Sequence, residues 1–409
     1  MTDSTSSSQR SVPRGVGTAV WTAVLILALV MGVIAAIIGI ASLVPGLGPL
    51  SPAAARFAPT VAPISALVGL IVLVVGIIAV RRGQRRTGAV ASMLGGAGAA
   101  ANLAVVIVLV GAITSAGGSV NLFTATFGLS AIDAAAPDRQ EVYEKTSSGD
   151  DLSVSVYEPA GQKDSAPTIM YVHGGGWIAG EPDASSSELR ELADHGYLVV
   201  SVEYELATPD NPTWQSAPSQ VACAATWIQG HADELGADMD RLAFWAESSG
   251  GNMVANTAGA AAQGAAESSC GGEVPVPDAV VADYPAFDVT GLYENAPAGP
   301  GAGTGTRIFA TSFTGGTPEE YPKRYATVNS LTHLTDAAPP MLVMTAMRDD
   351  TITPADQLAW ADSARDRGVD VRTVQIPFAN HAYPQKAKNS LGSQGHLSIA
   401  ENYLSERLR

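Results

Sequence analysis

His173-Gly174-Gly175-Gly176-Trp177 and Ala246-Glu247-Ser248-Ser249-Gly250-Gly251-Asn252 are the two strings that decide how this chain is read. The first follows a short apolar run, Thr168 to Val172, and presents backbone N–H groups with no side chain in the way. Such amides suit an oxygen on which negative charge develops. The second follows the apolar run Leu242 to Ala246 and opens a helical pattern over Gly250 to Gln263. Small residues at 246 and 250 let the chain turn sharply enough to lift Ser248 clear of the strand. A serine hydroxyl attacks well only when a base takes its proton, so a histidine and an acid are expected farther along the chain.

Six histidines are available: His173, His195, His231, His333, His381 and His396. Only His381 and His396 follow the last strand-like run, Val371 to Ile376. His396 begins a helical pattern that continues to Leu408, whereas His381 lies in the loop Phe378-Ala379-Asn380-His381-Ala382-Tyr383 and is the expected base. The acid is Asp349 or Asp350. Both come just after the run Met341 to Thr345, where a carboxylate can hold an imidazole in its working tautomer. The N–H groups of Gly175, Gly176 and Ser249 are the expected oxyanion donors.

Hydrophobic residues make up 46% of the 409 residues and charged ones only 15%, and the imbalance is local. Seven Lys/Arg and two Asp/Glu precede Pro137, leaving 16 of the 23 basic and 37 of the 39 acidic residues behind it, a net charge of −21. A surface of that sign repels phosphates and argues against nucleic acid as a partner. Two cysteines, Cys223 and Cys270, show no metal-ligand spacing, so no structural zinc is expected. They could pair as a disulfide, or Cys223 could be a buried thiol in a helix.

Three apolar runs occupy residues 16–44, 61–80 and 89–113 within a membrane region of 16–114. Each exceeds the roughly 20 residues a helix needs to cross about 30 Å of hydrocarbon. Arg81-Arg82-Gly83-Gln84-Arg85-Arg86 separates the second from the third, and Arg10 and Arg14 precede the first. Short loops rich in arginine stay cytoplasmic. This places the N-terminal segment 1–15, expected to be disordered, inside and everything after the third run outside. The first run read instead as a signal peptide leaves that outcome unchanged, although its apolar stretch is long for one. Small residues at Gly95, Gly96, Gly98, Ala99 and Ala100 would let helices pack closely. No ionisable residue falls inside a run, which favours an anchor over a transporter.

Residues 115–137 read as a linker, and 138–409 as a second domain in which strands and helices alternate. Leu152 to Tyr157 alternates like an edge strand. Tyr197 to Tyr204 and Ala279 to Tyr284 are further strand runs. Ser185 to His195, Ser219 to Leu235 and Pro354 to Arg367 are helical. Apolar strands between helices predict an α/β architecture: a mostly parallel sheet covered on both faces. The pattern lapses over about 287–325, which includes a glycine-rich piece, Ala298 to Gly305. This segment is expected to form a small lid and is not a dinucleotide fingerprint, because it lacks the spacing and follows no strand.

Over roughly Asp151 to Arg409 the chain resembles the hormone-sensitive-lipase-like and related bacterial esterases of the α/β-hydrolase superfamily. The resemblance rests on His173 to Trp177, Tyr204-Glu205-Leu206-Ala207, Asp238-Met239-Asp240-Arg241 leading into the serine turn, Asp349 and His381. It implies the α/β-hydrolase fold, Asp349 rather than Asp350 as the acid, and a preference for short acyl chains. Ala246-Glu247-Ser248-Ser249-Gly250 stands where the family has Gly-Asp-Ser-Ala-Gly, and Glu205 where it has Arg; both departures bear on substrate rather than on reaction class.

The expected function is that of a multi-pass, membrane-anchored serine carboxylesterase facing outward. It would need no metal or organic cofactor. Its expected substrates are small-molecule, lipid or glycolipid esters. An acyltransferase using the same three residues, a serine peptidase, or a non-catalytic binding or scaffold protein are the alternatives.

Overall fold

The three apolar runs become three helices: α1 (Arg14–Leu43), α2 (Leu50–Arg81) and α3 (Arg85–Ser115). The structure is a computed structural model and describes residues 14–161, 165–296 and 302–408. The N-terminal segment up to residue 13, including Arg10, and the glycine-rich residues 297–301 lie outside the described residues. The chain forms two compact units that divide after Ile107.

In the first unit the helices are long and apolar enough to cross a membrane. Helix α2 starts at Leu50, well before the expected 61, and runs through Pro59 and Pro63. A proline removes one N–H and so bends or weakens a helix without always ending it. The small residues act as expected. A Cβ at Gly95 would overlap the backbone N of Leu73, and one at Gly98 would reach 3.0 Å from Ala35 Cβ. Gly96 has only ordinary contact, at 3.8 Å from a Leu73 methyl. Asn102, fully buried, donates from Nδ2 to the carbonyls of Ala35 and Gly98, both at 2.8 Å. A side-chain amide bonding across helices is the polar counterpart of small-residue packing in an apolar medium.

The second unit holds the last residues of α3, a short helix α4 (Leu122–Phe127) inside the stretch expected to be a plain linker, and an eight-stranded sheet. The strands are β1 (Arg139–Lys145), β2 (Asp151–Tyr157), β3 (Ala166–Val172), β4 (Leu198–Val202), β5 (Ala237–Glu247), β6 (Ala279–Asp283), β7 (Met341–Ala346) and β8 (Val371–Ile376). Their order is β1-β2-β4-β3-β5-β6-β7-β8. Strands β1 and β2 pair antiparallel, as do β2 and β4; the pairings from β4 through to β8 are parallel. The expected edge strand is therefore second from the edge. Strand β1, Arg-Gln-Glu-Val-Tyr-Glu-Lys, buries only Tyr143 and so carried no apolar signal.

Strand alternation sorts the core into two faces. Val154, Met170, Val172, Val200, Phe244, Ala246, Val280 and Val343 join a cluster with residues of α6 (Ser216–Gly230), α8 (Ser249–Ala262) and α12 (Pro354–Asp366). The intervening positions, including Trp245 and Asp283, face α5 (Ser186–Asp194) and α13 (Leu391–Arg407), where the Trp245 and His396 rings lie 5.6 Å apart. The sheet is mostly parallel, as the sequence predicts.

A one-turn helix α7 (Ala232–Leu235) precedes β5. The segment expected to form a lid carries α9 (Val289–Glu294), α10 (Ala302–Thr314) and α11 (Pro322–Val328). Cys223 in α6 and Cys270 are joined as a disulfide, with Cα atoms 5.4 Å apart.

Candidate active site

Ser248 occupies the single residue between β5 and α8. Its backbone sits at φ 51°, ψ −121°, a strained conformation for a residue with a Cβ. The turn is held from both sides. Ser248 N–H donates to the Asp283 carbonyl at 2.9 Å, and the Ser248 carbonyl accepts from Ala286 at 2.9 Å and Gly251 at 3.1 Å. Only glycine serves at 250, because a Cβ there would overlap the carbonyl oxygen of Val172. Ala246 is buried completely at the other small position.

His381 lies after β8, as expected, and its ring reaches Ser248. The Ser248 hydroxyl donates to His381 Nε2 at 3.1 Å, and His381 Nδ1–H donates to Asp349 Oδ2 at 2.8 Å. The other carboxylate oxygen of Asp349 accepts the N–H groups of Thr351 and Ile352, at 2.8 and 2.9 Å. Those two bonds fix its orientation. The backbone N–H of Asp350 donates to Asn380 Oδ1 at 3.4 Å. The Asp349 carboxylate is fully covered, whereas the His381 side chain keeps 18% of its surface exposed.

Burial alone would push the His381 ring toward its neutral form. The Asp349 carboxylate, by charge and hydrogen bond, with smaller contributions from Glu247 and Asp350, outweighs that, and the pKa stands above the ordinary 6.5. Here a desolvated ring is made more basic by a fixed carboxylate.

The glycine string packs against this turn. A Cβ on Gly174 would come within 3.0 Å of Ser248 Cβ. Gly175 and Gly176 have φ of +107° and +64°, and Trp177 after them has φ +62°. His173, pushed down to about 4 by burial and so neutral, donates from Nδ1 to the Gly174 carbonyl at 2.7 Å. Its ring stacks on Tyr204 at 4.3 Å, and the Tyr204 hydroxyl bonds the carbonyls of His173 and Gly174 at 3.2 Å. The Trp177 carbonyl accepts from Ala207 N–H at 2.7 Å. The Tyr204-to-Ala207 string thus braces the glycine loop from behind. Ser249 is the first residue of α8, where backbone N–H groups have no partner within the helix.

Several contacts around the site left no signal in the sequence. Phe309 of α10 packs so closely over Gly176 that a Cβ there would meet the ring at 2.5 Å. Phe313 stacks on Trp177 with ring centroids 4.5 Å apart. Glu247 points away from the serine, accepting from the Tyr284 hydroxyl at 2.5 Å and from Gln385 Nε2 at 2.6 Å. Tyr284 in turn meets the His381 ring edge-on at 4.8 Å. A second histidine cluster lies under the sheet. His396 Nε2 donates to Asp283 Oδ2 at 2.5 Å, and Nδ1 pairs with Glu188 at 2.8 Å. The helix carrying it begins at Leu391, so His396 is interior rather than first. Among the described residues no three His, Cys, Asp or Glu side chains gather where a metal would sit.

A family model described as BD-FAE matches residues 154–360. Carboxylesterase NlhH of Mycobacterium tuberculosis is 38% identical over 106 residues, which is 26% of this chain and 33% of that protein. The chain thus spans about a third of the length of that relative. Ethyl acetate hydrolase of Pseudomonas putida is 29% identical over 255 residues, 58% of this chain and 73% of that protein. Among solved structures, Thermogutta terrifontis esterase 2 phosphonylated by sarin superposes with a TM-score of 0.55 at 21% identity, covering 66% of this chain and 94% of that one. That likeness shows the α/β-hydrolase fold. With half of its length matched by the family model, the chain belongs to the BD-FAE family, and its fold is that of the α/β-hydrolases.

Proposed function

We propose that this chain is a membrane-anchored serine carboxylesterase whose nucleophile, base and acid are Ser248, His381 and Asp349. The observation that carries the reading is the continuous series from Ser248 Oγ to His381 Nε2 at 3.1 Å and from His381 Nδ1 to Asp349 at 2.8 Å. His381 takes the serine proton as Oγ attacks the ester carbonyl. The N–H groups of Gly175, Gly176 and Ser249 receive the oxyanion, each such donor contributing about 3–4 kcal/mol to the barrier reduction. Imidazolium then protonates the departing alcohol and leaves an acyl-enzyme. Water, activated by the same ring, releases the acid. The relatives, a carboxylesterase and an ethyl acetate hydrolase by name, support esters as the substrate class.

Small acyl groups follow from the cover. Ser248 is only 9% exposed, and Phe309 sits on the glycine loop, so a bulky chain has little room beside the oxyanion site. The arginines between α2 and α3 hold that connection in the cytoplasm, which puts residues after α3 outside. Acyl esters of envelope glycolipids or sugars are the substrates such a position makes available.

The test is hydrolysis of p-nitrophenyl acetate by the full-length protein in detergent, beside Ser248→Ala. A loss of about 10^5-fold or more is expected; equal rates from the two would overturn the reading. Protease accessibility of the domain in intact cells checks its side of the membrane.

A further inference from the structure

We propose that α4 is a membrane-surface foot: Leu122, Phe123 and Phe127 insert into the interfacial layer of the lipid bilayer that α3 enters. The proposal rests on the membrane-spanning reading of α3 and not on the esterase reading.

Three observations converge. Leu122, Phe123 and Phe127 are 47%, 71% and 61% exposed. The two phenylalanines, one helical turn apart, hold their rings 5.2 Å from each other as a single apolar surface. Isolated exposed apolar residues are ordinary, but a contiguous aromatic patch on a short helix implies a covering partner.

The opposite side of α4 is fixed to the domain. Ala125 is completely buried. Asn121 N–H donates to Gln394 Oε1 at 2.6 Å, and Gln394 Nε2 donates to Thr124 Oγ1 at 3.2 Å. Ser119 exchanges two 2.9 Å bonds with Ser398, and Asn389 Nδ2 donates to the Gly128 carbonyl at 2.9 Å. Asn121 also caps α4, accepting from Phe123 and Thr124. The patch therefore cannot fold inward, because its helix is held to α13 and to the loop before it.

Chain continuity says which partner covers it. No Asp, Glu, Lys, Arg or His occurs between Arg86 and Asp133, so the uncharged stretch runs past the end of α3 and through α4. Ile113 of α3 lies over Gly395 of α13. Ala112 and Ser115 line one cleft with the ion-paired Arg372 and Glu406. Charged groups do not settle in hydrocarbon, so the apolar span leaves it near Ala112. From Ser115 to Leu122 the chain reaches at most about 25 Å, and α13 holds both ends of that stretch. The layer at that depth is the interface, where aromatic rings and amphipathic helices lodge.

The native cysteines are joined as a disulfide, so an introduced one can be labelled alone. Full-length Phe123→Cys and, separately, Leu122→Cys are labelled with an NBD dye in phosphatidylcholine–phosphatidylglycerol vesicles. Val276→Cys, at another exposed apolar position, is the comparison. The labels at 122 and 123 are expected to be blue-shifted, quenched by lipids spin-labelled near the headgroup, and several-fold less sensitive to aqueous iodide than the label at 276. Equal iodide quenching at all three positions would overturn the proposal. So would shielding that depends on protein concentration, since that would mean a second copy covers the patch. Alkaline carbonate extraction separates the two readings: release of the protein sinks the membrane span as well, while retention with a water-exposed label sinks α4 docking alone.

Discussion

Two histidines follow β8, and both are paired with buried carboxylates, yet they sit in opposite kinds of site. His381 keeps one ring nitrogen for Asp349 and gives the other to a serine, with 18% of its side chain exposed. His396 gives both nitrogens to carboxylates, Asp283 and Glu188, and only 4% of its side chain is exposed. In each case burial works against the charged ring and neighbouring carboxylates more than reverse it, and for His396 the pKa is raised well above its usual value. What separates them is the second partner. A ring between two acids is a fixed cation that neutralises buried charge. A ring between an acid and an alcohol can hand a proton back and forth.

Exchanging the losses tests this contrast most severely. His381→Ala is expected to lower kcat on p-nitrophenyl acetate by about 10^5–10^6-fold. His396→Ala leaves Asp283 and Glu188 without their counter-charge beneath the sheet and is expected to cost about 3–5 kcal/mol of stability, with turnover per folded molecule changed only a few-fold. Activity assays normalised to the folded fraction, beside thermal melts, read both. If His396→Ala abolished turnover while melting normally, the division of roles would be wrong.

The next effect is smaller and concerns the acid. Asp349→Asn is expected to lower kcat by about 10^4-fold, because an amide favours the wrong imidazole tautomer. The base works when neutral. With the His381 pKa raised above 6.5, the acid limb of kcat/KM is expected above pH 6.5, with activity rising with pH through it. Removing the Asp349 charge takes away a contribution that raises the pKa, so the limb moves to lower pH in the variant. Asp350→Asn, which removes only a more distant charge, is expected to move the limb slightly in the same direction and leave kcat within a few-fold.

The serine turn and glycine loop were legible because their chemistry requires small residues at fixed offsets from a strand, and such offsets survive in a linear string. Asp349 and Asp350 were not separable from the residues alone, since both follow β7 and only the turn that sends the Thr351 and Ile352 amides to one carboxylate decides which faces the ring. Strand β1 was missed because an edge strand with one solvated side has little apolar pattern. Helices α9 to α11 were hidden by glycine and proline around them. Phe309, Phe313, Tyr284 and Gln385 are aromatic or amide residues of ordinary kind, and their place at the site is set by long-range packing. Glu247 stood beside the serine in plain view. Its direction, toward Tyr284 and Gln385 rather than toward Ser248, follows from strand alternation in β5.

The two faces of the sheet are secured differently as well, and this gives the smallest of the expected effects. The α5/α13 face contains the Glu188–His396–Asp283 cluster, while on the other face a disulfide ties α6 to Cys270 across 47 residues. Cys223→Ala with Cys270→Ala is expected to cost about 2–4 kcal/mol, mainly by releasing the unfolded chain, and to leave kcat unchanged. The pH dependence distinguishes the two devices. A histidine whose pKa is raised in the folded state contributes stability that is fully present below the ordinary histidine pKa and is lost as pH rises through the raised one. The His396 contribution therefore fades in alkaline solution. The disulfide contribution does not titrate. Melting curves from pH 6 to pH 10 should show wild-type protein and the double cysteine variant losing stability in parallel, whereas His396→Ala, starting lower, should converge toward wild type as pH rises. A constant gap for His396→Ala across that range would mean that the ring stabilises the domain by packing alone.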